Sequence, residues 1–170
     1  MSQDAARAFE HVFRREHSAI VAFCFRRVDD YELARDLAAE TFRIAWSRWA
    51  EPRRSDRAWL YGVARNLIGS EYRRRAHAAA PAGADVDAPA PGDDYLTVDV
   101  EQTLAALGPA HQEVLRLAYW DGLGAAEIAE LLGIATPAAW MRLSRARRAF
   151  TTAWKGQPVP RTGTRDRTVR

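Results

Sequence analysis

An all-α protein of two small helical domains joined by a flexible acidic linker is what this sequence predicts, and three observations predict it. Apolar residues recur at three- and four-residue spacing through residues 9–68 and again through the second half of the chain. No run shows the alternation with a period of two that marks a strand. Between Ala76 and Asp94 the sequence is mostly Ala, Pro, Gly and Asp, with Val86 as its one large aliphatic side chain. Such a stretch buries too little area to offset the entropy of ordering it. The expected units are a first domain over residues 5–76, a linker over 77–94, a second domain over 95–155 and a disordered basic tail over 156–170. With 170 residues, 48% of them hydrophobic, the chain fills two modest cores but not a large enzyme domain.

In the first domain, Phe9, Val12, Phe13, Ile20, Phe23 and Cys24 form one face of an amphipathic helix. A second helix starts after Asp30, a candidate N-cap, and runs through Leu33, Leu37, Phe42 and Trp46 to stop before Pro52. A third follows Ser55, another candidate cap, with Trp59, Leu60, Val63, Ala64, Leu67 and Ile68 at helical spacing. The second domain reads as four shorter helices, roughly Tyr95 to Leu107, Ala110 to Trp120, Ala125 to Leu132 and Pro137 to Trp154. Gly108 with Pro109, Asp121 with Gly122, and Gly133 punctuate them. A short helix, a glycine turn and a longer basic helix make a helix-turn-helix, whose second helix enters the major groove of DNA.

The formal charge of +3 is unevenly spread. Residues 51–75 hold seven basic side chains against three acidic, and residues 76–103 hold six acidic and none basic. Residues 104–155 hold six basic against four acidic, and the tail holds four Arg against one Asp. Two basic blocks separated by an acidic one fit a protein that touches a polyanion at two places. No apolar stretch is long enough to span a membrane, so no membrane insertion is expected and the chain reads as cytoplasmic. Cys24 is the one cysteine and reads as core filler. No phosphate loop, metal-ligand spacing or nucleophile motif is found, so neither catalysis nor a metal or cofactor is expected.

Two segments carry the functional reading. The last helix bears Arg142, Arg145, Arg147, Arg148 and Lys155, with no acidic residue between Glu130 and Asp166. Ala139, Leu143, Ala146 and Phe150 are spaced to face the core, which leaves the arginines outward to bind phosphates or guanine edges. The third helix mixes Trp59, Tyr61, Asn66 and Tyr72 with Arg73, Arg74 and Arg75. Aromatic and basic side chains together suit unstacked single-stranded bases.

The stretch from Asp30 to Trp46 (DYELARDLAAETFRIAW), followed by Arg57 to Leu67 (RAWLYGVARNL), resembles region 2 of the extracytoplasmic-function (ECF) sigma factors of bacterial RNA polymerase. Leu104 to Leu117 (LAALGPAHQEVLRL), Ala126 to Ile134 (AEIAELLGI) and Arg145 to Arg148 (RARR) resemble their region 4. The resemblance covers most of residues 7–154, in the family's order and with a linker between. It implies that Asp36, Leu37, Glu40, Thr41 and Trp46 bind the coiled-coil clamp of the polymerase's largest subunit, and that region 4 meets the flap region. It implies that Arg54, Trp59, Arg65, Asn66, Tyr72 and Arg73 capture flipped bases of the melted minus-10 element. It implies that Trp140, Met141, Arg142, Arg145, Arg147 and Arg148 read the minus-35 duplex. Core RNA polymerase, promoter DNA and an anti-sigma factor are the expected partners, and the acidic linker is expected to thread the basic RNA exit channel.

The chain departs from that pattern at the start of the recognition helix. Where the family has Ser and then Thr-Val-Lys-Ser-Arg-Leu, this sequence has Ala135 and then Ala138 to Leu143 (AAWMRL), with Thr136 and Pro137 expected to cap and start the helix. Trp140 and Met141 suit thymine methyl groups or an apolar protein partner. The alternative to a promoter-recognition subunit is therefore a sigma-like interaction protein, a decoy that binds a regulator through this altered helix. An autonomous repressor or activator is a third reading.

Overall fold

The computed structural model describes residues 3–51, 53–78 and 95–156. The expected linker beyond Ala78 and the expected disordered tail beyond Gly156 lie outside the described residues. Seven helices and no strand are found among the described residues: α1 (Gln3–Val28), α2 (Tyr31–Ser47), α3 (Asp56–Ala78), α4 (Tyr95–Ala105), α5 (Pro109–Tyr119), α6 (Ala125–Leu132) and α7 (Thr136–Lys155). The all-helical class read from the sequence is the observed one.

The helix ends follow from local chemistry. Asp29 takes a left-handed backbone (φ 50°), which Asp tolerates, and its N–H donates to the Phe25 carbonyl at 2.9 Å to close α1. Asp30, in extended backbone, then accepts the Leu33 N–H at 3.0 Å and caps α2 as expected. The Ser55 hydroxyl accepts the Ala58 N–H at 3.2 Å at the head of α3. Gly133, at φ 64°, ends α6 with the left-handed turn that glycine adopts without a Cβ penalty. One expected cap is corrected. Thr136 is the first residue of α7, not its cap; Ala135 holds the N-cap position and has no side chain to bond the first turn.

α1, α2 and α3 enclose a core of Val12, Ile20, Phe23, Cys24, Leu37, Ala38, Phe42, Ala45, Leu60, Ala64 and Ile68. α4 to α7 enclose Leu104, Val114, Leu115, Leu117, Ile128, Ala139, Leu143 and Ala146. The two cores meet where α3 packs against α6. At Gly62 of α3 a Cβ would stand 3.8 Å from the Leu131 side chain of α6, an ordinary van der Waals contact. α3 is therefore covered on two sides, which overturns one sequence reading. Tyr61, read with Trp59 and Tyr72 among the aromatics suited to unstacked bases, is fully buried, edge-on to Phe23 of α1 with centroids 4.9 Å apart.

Candidate nucleic-acid interface

Three surfaces hold the residues singled out from the sequence. On α2, Asp36 and Trp46 are exposed and Glu40 is half-buried, paired with Arg43 at 2.5 Å. Leu37 and Thr41 are not on that surface. Leu37 is buried, and Thr41 has no accessible area and donates its hydroxyl to the Leu37 carbonyl at 2.7 Å, so neither is presented to a partner. Trp46 belongs to an aromatic cluster that reaches the surface. Phe9 lies 4.8 Å from Trp46 and 5.1 Å from Trp49, and Phe13 lies 4.8 Å from Phe42.

On α3, Arg65, Asn66, Tyr72 and Arg73 all face outward. Trp59 is half-buried, with the Arg53 guanidinium 4.0 Å over its ring. Arg53 also donates to the Trp49 and Glu51 carbonyls at 2.6 and 2.8 Å, which pins the turn that carries Arg54. The Tyr72 hydroxyl donates to the Arg27 carbonyl and ties α3 to the end of α1. Arg73 bonds the Ser70 hydroxyl at 2.9 Å.

On α7, Ala139, Leu143 and Ala146 face the core, so Trp140, Met141, Arg142, Arg145 and Arg148 face solvent. Trp140 is 57% exposed and Met141 53%, and no ion pair engages Arg142, Arg145 or Arg148 among the described residues. Arg147 differs from its neighbours. Its Nε donates to the Tyr119 hydroxyl at 2.7 Å, so its charge is held against α5.

Polar contacts between the two helical groups were not legible as a site in the sequence. The Asp121 carboxylate, in the turn between α5 and α6, has no accessible area and accepts from Arg26 and, at 3.2 Å, from Arg27. Arg57 donates to the Asp121 and Gly122 carbonyls at 2.7 and 2.8 Å and pairs with the buried Glu16 at 3.2 Å. Gly122 takes φ 63°, the left-handed backbone that glycine adopts without a Cβ penalty. Burial lowers the Arg27 pKa, and the Asp121 charge beside it opposes that shift. Arg65 meets Glu113 of α5 at 2.9 Å. The sequence signal for this clasp was the Asp121–Gly122 turn, read there only as punctuation.

These helices match described families. Residues 12–78 match the Sigma-70 region 2 model, and residues 97–150 match the Sigma-70, region 4 model. The chain is 31% identical over 146 residues to the ECF RNA polymerase sigma factor SigL of Mycobacterium tuberculosis, covering 79% of this chain and 82% of the relative. It is 32% identical over 152 residues to the RNA polymerase sigma factor YlaC of Bacillus subtilis, covering 82% and 88%. The sigma factor RpoE of Bartonella quintana, solved with the anti-sigma factor NepR, shares the fold with a TM-score of 0.65 at 23% identity, over 89% of this chain and 99% of that one. CnrH, solved with the cytosolic domain of CnrY, shares it with a TM-score of 0.62 at 24% identity, over 90% and 91%. Both sigma-70 regions in order, with this identity across most of a curated relative, place the chain in the ECF family of RNA polymerase sigma factors.

Proposed function

We propose that this chain binds core RNA polymerase in the cytoplasm and directs it to promoters, with no chemistry of its own. The observation that carries the reading is the pairing of two outward basic faces on separate domains of a sigma-70 chain, one on α3 and one on α7. Residues 5–76 would bind polymerase and the minus-10 strand, 77–94 would connect, 95–155 would bind the minus-35 duplex, and 156–170 would form a basic tail. In this assignment Asp36, Glu40 and Trp46 touch the clamp while Leu37 and Thr41 hold their helix in shape. Arg54, Trp59, Arg65, Asn66, Tyr72 and Arg73 meet the unstacked strand, where a ring face and a Watson-Crick edge are both open to a protein. Arg142, Arg145 and Arg148 meet the duplex, with Trp140 and Met141 ahead of them at the base edges and Arg147 placed by Tyr119. No helix among the described residues is long and apolar enough to cross a membrane, which is consistent with a partner of cytoplasmic polymerase.

The partners of the structural relatives suggest that an anti-sigma factor also binds this chain. The exposed Trp140 and Met141 favour a second reading, a decoy that offers this helix to a regulator. Run-off transcription with bacterial core polymerase on a pooled promoter library separates the two. Transcripts that share two spaced upstream elements support the promoter reading; core binding without transcripts supports the decoy; and no core binding defeats both.

A further inference from the structure

A cleft of about 380 Å³ lies between α3 and α5, lined by Arg27, Arg65, Asn66, Gly69, Arg73 and Glu113. Three of these side chains are guanidinium groups, and Glu113 is the one carboxylate in the lining. It comes from the other domain. Its Oε1 accepts from Arg65 Nε at 3.0 Å, with Nη2 of the same guanidinium 2.9 Å away. A guanidinium that donates to a carboxylate oxygen can donate to a phosphate oxygen in the same way. Arg27 is committed to Asp121, whereas Arg73 meets no carboxylate among the described residues and reaches only its own helix through Ser70. The cleft is thus a basic site with one anionic side chain in it and room to spare beside it.

We infer that this cleft is a phosphodiester site for a single nucleic-acid strand, and that Glu113 stands in for the phosphate while the two domains are in contact. The inference rests on the promoter reading of α3 and extends it to the strand's backbone. Asn66 and Tyr72 would meet bases, and Arg65 and Arg73 the phosphate between them. The stand-in is replaceable because it is weak. Arg65 and Glu113 are 44% and 36% exposed, where water and salt screen an ion pair to a small net value. A strand brings several phosphates and base-stacking contacts at once, and so displaces one half-exposed carboxylate.

The test is fluorescence anisotropy of the full chain with a short labelled single-stranded oligodeoxynucleotide across a salt series. Glu113→Gln is expected to tighten strand binding about two- to fivefold at low salt. It is also expected to steepen the logarithmic salt slope by about 0.7, one phosphate's increment on a single strand, because no freed Glu113 carboxylate then takes up a cation as the strand binds. Arg73→Gln added to that variant should return the slope to its starting value. Glu101→Gln removes the same charge from α4, outside the cleft, and should leave both readouts near wild type. An unchanged slope in Glu113→Gln, or an equal gain in Glu101→Gln, overturns the inference, because net charge alone would then account for the binding. Inorganic phosphate at matched ionic strength should displace the strand no better than chloride does; efficient displacement would make the cleft a general small-anion pocket and overturn the strand assignment. Core-polymerase binding is measured in parallel. Its failure defeats the sigma reading whatever the anisotropy gives, and a transcriptionally active chain whose Glu113→Gln variant leaves the slope unchanged defeats only the cleft.

Discussion

Cys24 has no accessible surface in the first core, and burial raises its thiol pKa to about 11 despite the Arg27 charge that pulls the other way. At pH 8 a thiol with that pKa is roughly 0.1% thiolate, and the thiolate is the reactive form. The native chain should therefore give no fast reaction with a thiol reagent and one equivalent in denaturant; rapid labelling of the folded protein would mean that the α1–α3 core opens readily. The sequence reading of Cys24 as core filler agrees with its burial. Asn66 is the opposite case, an exposed amide on α3 with no role in the core. Asn66→Ala is expected to lower run-off transcription by about tenfold, equivalent to about 1.4 kcal/mol, with core-polymerase affinity unchanged. Loss of polymerase binding instead would show that this face of α3 belongs to a different interface. Tyr61 shows where single-residue reading fails. Five residues before Asn66 on the same helix, it reads as one of the aromatics suited to unstacked bases, yet it is fully buried with its ring edge-on to Phe23 of α1. A periodicity argument assumes one buried face, and α3 has two.

The helices themselves were largely legible because their ends are chemical. Asp30, Ser55 and Gly133 each make the bond or the turn that their residue type predicts. Thr136 was misplaced because Pro137 fits the first turn of a helix at more than one register, so the proline fixed the neighbourhood but not the cap. Ala135 holds extended backbone (φ −70°, ψ 146°) and its carbonyl accepts the Ala139 N–H at 3.1 Å, yet its side chain offers the first turn nothing. Ala135→Ser should add the missing cap bond and stabilise the chain by about 0.5–1 kcal/mol, raising the midpoint of thermal unfolding by about 1–4 °C. An unchanged midpoint would indicate that water already satisfies those N–H groups. The same helix carries the charge prediction. Arg142→Ala together with Arg145→Ala should reduce the logarithmic salt slope of duplex binding by about 1.8, or about 0.9 for each phosphate that is no longer neutralised. A slope that does not move would remove this face of α7 from the duplex interface.

At the scale of the whole molecule, two domains could be read from the sequence but their contact could not. Asp121 follows α5, Arg26 and Arg27 end α1, and nothing in their spacing brings residues some 95 positions apart together. The contact also opposes the proposed function. By their names the two promoter elements are centred about 25 base pairs apart, about 85 Å at about 3.4 Å per pair. A compact chain of this length has a radius of gyration of only about 15 Å. The residues between Ala78 and Tyr95 reach at most about 60 Å when extended, enough to let the domains separate and bind both elements. Polymerase binding must then break the clasp, and Asp121 is its centre, a fully buried carboxylate with both arginine partners less than a third exposed. Removing one partner of such a pair costs about 3–5 kcal/mol if the other charges stay buried, and separation of the domains relieves that cost by returning them to water. Asp121→Ala should accordingly appear as opening rather than unfolding. Spin labels on exposed positions 32 and 152, which the inert Cys24 permits, should show one narrow distance distribution in the wild type and a broad one in the variant, with helix content retained. An unchanged distribution would mean that the apolar α3–α6 contact holds the domains without the clasp. The sign of the effect on initiation is opposite to that of the DNA-binding residues, because a chain already open has less to break: Asp121→Ala should bind core polymerase at least as tightly as wild type.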